Sequence, residues 1–191
     1  MANQQESNAR RRALDAAVEL LYHAGFRNFT MEAVARSSGV SKSTIYRHWP
    51  DKTHLVLEAF SQRTTRNTLV PDMGELERDL EAHLGRLAHN LTVRDAAPVA
   101  IELMVEANRD PAFAEVYHAT VLRDRRRGFL TIFARARQRG QLADDVDLAV
   151  VTDSVLGALH HRLLLTGEPI DGPFVRALVR VVVHGAHSVA R

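Results

Sequence analysis

Apolar residues recur at helical spacing through almost the whole chain. Leu14, Ala17, Val18 and Leu21 stand at i, i+3, i+4 and i+7, one face of a helix running from Asn8 to Gly25. Gly25 ends that helix at the C′ position, where a left-handed residue is common. Phe26 and Phe29 follow as core plugs. Thr30 reads as the N-cap of a short helix, Met31–Ser38, with Glu32 in the first turn, where the helix dipole favours an acid. Gly39 stops it. Ser41 caps a second short helix, Lys42 to about His48. Pro50 stops that one, because a residue before proline, here Trp49, is pushed out of the α region. Asp51 then caps a longer helix from Lys52 to about Leu69.

Pro71 to Gly74 reads as a linker, and five further helices follow. Leu76, Leu80, Leu84, Leu87 and Leu91 line one face of the first. Ala97 to Asn108 forms the second. Asp110-Pro111 opens a long third that runs to about Arg139, where Gly140 breaks it. Asp147 to Thr166 is the fourth, closed by Gly167 and Pro169, and Asp171 to about Val189 is the fifth. No strand alternation, repeat or low-complexity tract is visible. The expected class is all-α, with about nine helices.

Two short helices joined through Gly39-Val40-Ser41 have the proportions of a helix-turn-helix. Gly39 permits a turn with positive φ. Val40 plugs the angle between the helices, and Ala35 is small where they approach. Val34 and Ile45 point inward. Ser41 caps the second helix, whose first turn can enter a major groove while the first helix crosses the backbone. Its outward side offers Lys42, Ser43, Thr44, Arg47 and His48, hydrogen-bonding groups suited to base edges and phosphates. A helix-turn-helix also occurs as an ordinary corner between helices, so the unit alone leaves both readings open.

Thr30-Met31-Glu32-Ala33-Val34-Ala35, Ser38-Gly39-Val40-Ser41, Thr44-Ile45-Tyr46-Arg47-His48-Trp49 and Lys52-Thr53-His54-Leu55 together resemble the signature of the TetR/AcrR family. The match covers about residues 10–60, with turn, cap, aromatic and lysine all in register. The resemblance implies an N-terminal three-helix DNA-binding domain, residues 8–54, and a helical ligand-binding and dimerisation domain, residues 55–191. It implies that Tyr46, His48 and Lys52 contact phosphate, with the helix N-terminus assisting Lys52. Lys42, Ser43 and Thr44 would face bases or sugars, and Thr30 would cap its helix and touch the backbone. Ser41 and Arg47 complete the DNA-binding set. Ser43 stands where the family commonly has glycine or alanine, and Trp49 where it has phenylalanine. The first departure bears on base preference; the second is a core exchange. Arg10, Arg11 and Arg12 are either further DNA contacts or a solvated helix start.

The charge balance adds to this picture modestly. The 191-residue chain has a formal net charge of only +2. Residues 1–70 hold ten Lys/Arg and six acids, while the remainder holds 15 and 17. A basic end on a mildly acidic body suits contact with a polyanion. Lys42 and Lys52 are the only lysines. Apolar residues make up 46%, enough for a real core. There is no cysteine, which excludes disulfides and thiolate metal sites. No secretory signal is recognised and no apolar run reaches bilayer length, so a cytoplasmic protein without membrane contact is expected.

The last two helices are apolar on more than one side. In Phe174–Val189 the polar residues Arg176, Arg180, His184 and His187 form one narrow stripe among apolar neighbours. Either a partner helix covers the rest, giving a homodimer through residues 147–189, or the helix is the central core of one subunit. Gly157 and Ala158 would permit close approach. In the middle helices, Leu84, Leu87, Leu103, Met104, Phe113, Tyr117, Phe129, Phe133 and Leu156 are either plain core or the lining of a pocket for an unidentified small-molecule effector. Glu106, one turn after Glu102, is part of a solvated ion-pair face with Arg109 or a contact to a cationic ligand. His160, beside His161, is a polar handle in the pocket or faces water.

Ten histidines raise the question of metals, but none lie in zinc-protease spacing. No phosphate loop or nucleophile elbow is present. No catalytic residue, metal or cofactor is expected, and Arg123, Arg125, Arg126 and Arg127 read as a solvated face. Two functional classes remain: a ligand-responsive DNA-binding repressor acting on double-stranded operator DNA, and a small-molecule-binding helical protein or enzyme that uses the helix-turn-helix only as scaffold.

Overall fold

A computed structural model describes residues 2–66, 69–92 and 96–188. Every regular element among them is helical. They form two compact units, each assembled from two stretches of the chain.

The first unit contains residues 2–66 and 96–122. Helix α1 (Ala2–Asn28) starts six residues before the expected Asn8 and continues past Gly25 to Asn28. Gly25 breaks its geometry with φ 73° and ψ 170°, a conformation that favours glycine. Helix α2 (Met31–Ser38), α3 (Lys42–His48) and α4 (Lys52–Ser61) follow with the expected caps. Thr30, Ser41 and Asp51 each accept the backbone N–H three residues on. Beyond α4 one wide, π-type turn continues through Gln62–Arg66. Leu69 lies outside the helix, and residues 67–68 lie outside the described residues.

Two later helices complete this unit. They are α6 (Ala96–Arg109) and α7 (Pro111–Tyr117), the latter followed by a π-type turn, His118–Leu122. Helix α1 packs on α2, α4 and α6, and α4 packs on α7. The shared core includes Leu14, Ala17, Leu21, Phe29, Val34, Ile45, Leu55, Phe60 and Leu103, all buried.

The second unit contains α5 (Leu76–Thr92), α8 (Arg123–Gln138), α9 (Leu148–His161) and α10 (Gly172–Ser188). Residue 189, the expected end of the last helix, lies outside the described residues. Helix α5 packs against α8 and α10, and α9 against α8 and α10. All five leucines of the α5 stripe are buried, as are Phe129, Ile132 and Phe133 from α8. The helix expected from Pro111 to Arg139 is present as α7, the π-type turn and α8.

The segment expected to be a linker, Pro71–Gly74, is tied down. Arg139 pairs with Asp72 and with the buried Asp79, which also accepts the Met73 N–H at 2.7 Å. Gln141 donates to the Gly74 carbonyl at 2.8 Å and accepts the Leu76 N–H at 3.1 Å. The Arg139 guanidinium bound to it holds the Asp72 carboxyl below the usual range. A second expectation also changes. Helix α9 runs on through Arg162–Thr166, and the 19 residues Leu148–Thr166 are long and apolar enough to cross a membrane by length and composition. Only 22% of that stretch is buried within this chain.

Candidate nucleic-acid interface

The helix-turn-helix is built from α2, the Gly39 turn and α3. Gly39 adopts φ 65° and its N–H closes α2 on the Ala35 carbonyl. Ser41 organises the start of α3. Its Oγ accepts the Thr44 N–H at 3.2 Å and lies 3.0 Å from Ser43 Oγ and 2.9 Å from Thr44 Oγ1. Val34, Val40, Ile45 and Trp49 are buried and fix the corner from within. The opposite side of α3 is left to solvent: Ser41, Lys42, Ser43, Tyr46 and Arg47 are exposed, and Thr44 and His48 are half-buried. Thr30 stands exposed at the start of α2.

The cations of this face already have carboxylates beside them. Lys42 Nζ lies 3.0 Å from Glu32 Oε1, and this hydrogen bond holds the Glu32 carboxyl below its ordinary value. Arg47 Nη2 lies 3.0 Å from Glu6 Oε1, with His48 Nε2 at 3.7 Å from the same oxygen. The Lys42 and Arg47 pairs are solvent-exposed and therefore weak, whereas the His48 side chain is only 18% exposed and its Nε2 is buried. Glu6 is 41 residues from Arg47 in the chain, and no local spacing announces the pairing.

Lys52 opens α4 immediately after the Asp51 cap. Burial pushes the Asp51 carboxyl up, but the side-chain and backbone hydrogen bonds from His54 outweigh it and leave it lowered. The Lys52 ammonium sits 4.3 Å from the centre of the Phe26 ring.

Two sequence expectations are revised here. Arg10, a candidate DNA contact, is instead paired with Glu58 and stacked 5.5 Å from the Trp49 ring. Trp49 is more than a core exchange: its Nε1–H donates to Glu58 Oε2 at 2.7 Å, and Gln62 also donates to Glu58 at 3.0 Å. An indole in place of a phenyl ring therefore finds a fixed acceptor on α4.

The candidate effector residues fall into two sets. Leu103, Met104, Phe113 and Tyr117 are buried in the first unit, and Glu106 is half-buried there. Phe133 and Leu156 are buried in the second unit, together with Leu84, Leu87 and Phe129. His160 in that unit is half-buried; burial first, and the Arg125 charge second, lower its pKa. Arg125 itself is buried, which corrects the solvated-face reading for that arginine. Glu102 is neither a solvated ion-pair residue nor a free ligand contact: its carboxylate accepts the Phe26 N–H at 2.9 Å and the Arg27 N–H at 3.3 Å. Among the described residues no group of three or more His, Cys, Asp or Glu is placed to hold a metal ion.

A capped, two-helix corner that turns a polar and basic face to solvent defines a helix-turn-helix DNA-binding protein. Comparison with known proteins specifies which. Residues 13–59 match the family described as bacterial regulatory proteins, tetR family, and residues 70–182 match the tetracyclin repressor-like C-terminal domain. The chain is 31% identical over 177 residues to the HTH-type transcriptional regulator YdeS of Bacillus subtilis, covering 93% of this chain and 89% of that protein. It is 31% identical over 169 residues to the DNA-binding transcriptional repressor TetR of Mycobacteroides abscessus, covering 87% of each. The crystal structure of the TetR family transcription regulator SCO0332 superposes with a TM-score of 0.80 at 36% identity, over 93% of this chain and 97% of that one. The chain belongs to the TetR family of transcriptional regulators.

Proposed function

We propose that this regulator is a homodimeric repressor that binds a near-palindromic operator and is released by a small, largely apolar effector. Residues 8–54 read DNA and residues 55–191 sense the effector and dimerise. The protein works in the cytoplasm and performs no catalysis. The observation that carries the DNA reading is the Ser41-capped start of α3, with Lys42, Ser43, Tyr46 and Arg47 all turned to solvent.

Lys42, Ser43 and Thr44, in the first turn of α3, approach base edges. Tyr46, Arg47, His48 and Lys52 hold phosphates, with Thr30 and Ser41 completing the backbone contacts. Phosphate contacts position the protein on any duplex, whereas base contacts select a sequence.

Dimerisation is assigned to residues 147–189. Val150 is 60% exposed and Val181 70% exposed. Both line a groove of about 350 Å³ with Val151, Ser154, Val182 and Gly185. An apolar groove on two adjacent helices is the surface a second copy would cover. The effector is assigned to the apolar C-terminal domain; its candidate contacts are Leu103, Met104, Glu106, Phe113 and Tyr117 in the first unit or, as a separate set, Phe133, Leu156 and His160 in the second.

The test is to select duplexes from genomic fragments with the purified protein and measure binding of the winners. Lys52→Ala and Tyr46→Phe are expected to weaken every duplex alike. Substitutions at Lys42, Ser43 or Thr44 are expected to change the ranking, with about 1–3 kcal/mol at stake for each good base contact. Indistinguishable ranking in the two groups overturns the role assignment. Failure to enrich any duplex overturns the DNA reading and favours the scaffold alternative.

A further inference from the structure

The end of α1 is gripped by a residue 76 positions further along the chain. At Gly25 the backbone departs from helical geometry, and the next two amides, Phe26 N–H and Arg27 N–H, both donate to the same carboxylate. Such a pair of amides makes an anion-binding nest. Its occupant is internal: Glu102 Oε2 and Oε1 lie 2.9 and 3.3 Å from the two nitrogens. The fit is close, since a Cβ at Gly25 would stand 3.0 Å from Glu102 Oε2.

The residue held in this way carries the support for a DNA contact. The buried Phe26 ring meets Phe113 of α7 edge-on, with centroids 5.1 Å apart at 72°. Its face carries the Lys52 ammonium at 4.3 Å. Glu102 lies in the segment matched by the C-terminal family domain, while Phe26 and Lys52 lie in the segment matched by the N-terminal one.

We propose that Glu102 is a positioning residue for DNA binding. Its carboxylate fixes the backbone of Phe26, and the Phe26 ring sets the Lys52 ammonium at the start of α4. A carboxylate suits this task because it offers two acceptors to two amides, and charge-assisted bonds of this kind are stronger than neutral ones. This rests on the reading of Lys52 as a phosphate contact.

The experiment is a double-mutant cycle read through salt dependence. A duplex selected from random-sequence DNA by the wild-type protein is titrated at several NaCl concentrations with wild type, Lys52→Ala, Glu102→Ala, Glu102→Gln and the Glu102→Ala/Lys52→Ala double variant. Loss of one phosphate contact lowers the slope of log K against log salt by about 0.9. Lys52→Ala is expected to show that loss for each contact it makes. Glu102→Ala is expected to lose a similar slope while folded, with faster amide exchange at Phe26 and Arg27. The double variant should bind no more weakly than Lys52→Ala alone. Glu102→Gln, which keeps one carbonyl acceptor, should fall between wild type and Glu102→Ala. If Glu102→Ala does not fold, the same cycle is run with Glu102→Gln.

A Glu102 variant that is less stable but binds DNA with the wild-type salt slope overturns the proposal, as does full additivity with Lys52→Ala. An unchanged slope in Lys52→Ala alone overturns the phosphate reading of Lys52, and the proposal with it, a failure visible without any Glu102 variant.

Discussion

His83 makes the stability of the second unit depend on pH in a way that can be worked out from its surroundings. The residue is 5% exposed, on α5, with its ring edge-on to Phe129 at 4.8 Å and 83°. Its Nδ1 is buried without a hydrogen-bond partner among the described residues. Burial, and secondarily the charge of Arg86, lower the imidazole pKa from 6.5 to about 4. At neutral pH the ring is therefore uncharged in both the folded and unfolded chain. Between pH 6.5 and 4 the unfolded chain takes up a proton that the folded chain refuses. The stability is present in full above pH 6.5 and is lost as the pH falls toward 4. A gap of about 2.5 pH units at about 1.36 kcal/mol each gives a loss of about 3 kcal/mol. Urea unfolding of wild type and His83→Leu across that range isolates this contribution. His160 shifts in the same direction and the lowered carboxyls of Asp51 and Asp72 also cost stability in acid, but these groups are common to both proteins. The wild-type curve should fall more steeply by about 3 kcal/mol in total. Parallel curves would refute the reasoning.

Three further outcomes are expected. Gly128→Ala should lower the thermal midpoint, because the new Cβ would lie 2.4 Å from His83 Nε2, and overpacking of this kind costs about 1–3 kcal/mol. Val150→Glu and Val181→Glu should sediment as folded monomers, since both side chains are exposed in the subunit and only a second copy would bury them. Val182→Glu is a poorer probe of the same surface, because Val182 is only 9% exposed and the charge would disturb the subunit itself. Thr30→Ala should destabilise by about 1 kcal/mol in thermal or urea unfolding, through loss of the cap on the Ala33 N–H.

Much of the DNA-reading corner was legible in the chain because it is built from local interactions. Thr30, Ser41 and Asp51 each cap the helix that follows by accepting the N–H three residues on, Gly39 needs its positive φ within one turn, and Val34 and Ile45 each fall on the apolar face of their own short helix. The leucine stripe of α5 was equally plain, because a face repeated over five residues averages out local noise. The polar ties were not legible. Glu6 with Arg47, Glu58 with Arg10 and Trp49, and Glu102 with Phe26 each join residues that have no spacing relationship.

By itself the sequence determined the all-α class, the approximate bounds of most helices and the helix-turn-helix corner, since each depends on periodicity and caps within a few residues, while the DNA role of that corner came from its resemblance to a known family. Tertiary structure alone decided that 2–66 and 96–122 form one unit while 69–92 and 123–188 form another. It alone turned Pro71–Gly74 from a linker into a segment locked by Arg139 and Gln141. It also settled which of the apolar valines stay at the surface: Val181 is exposed although its neighbours Val182 and Val183 are buried. The physical reason is the same in each case. Hydrophobic periodicity names a face, but what that face meets, and which carboxylate reaches which amide or cation, depends on how elements far apart in the chain pack together.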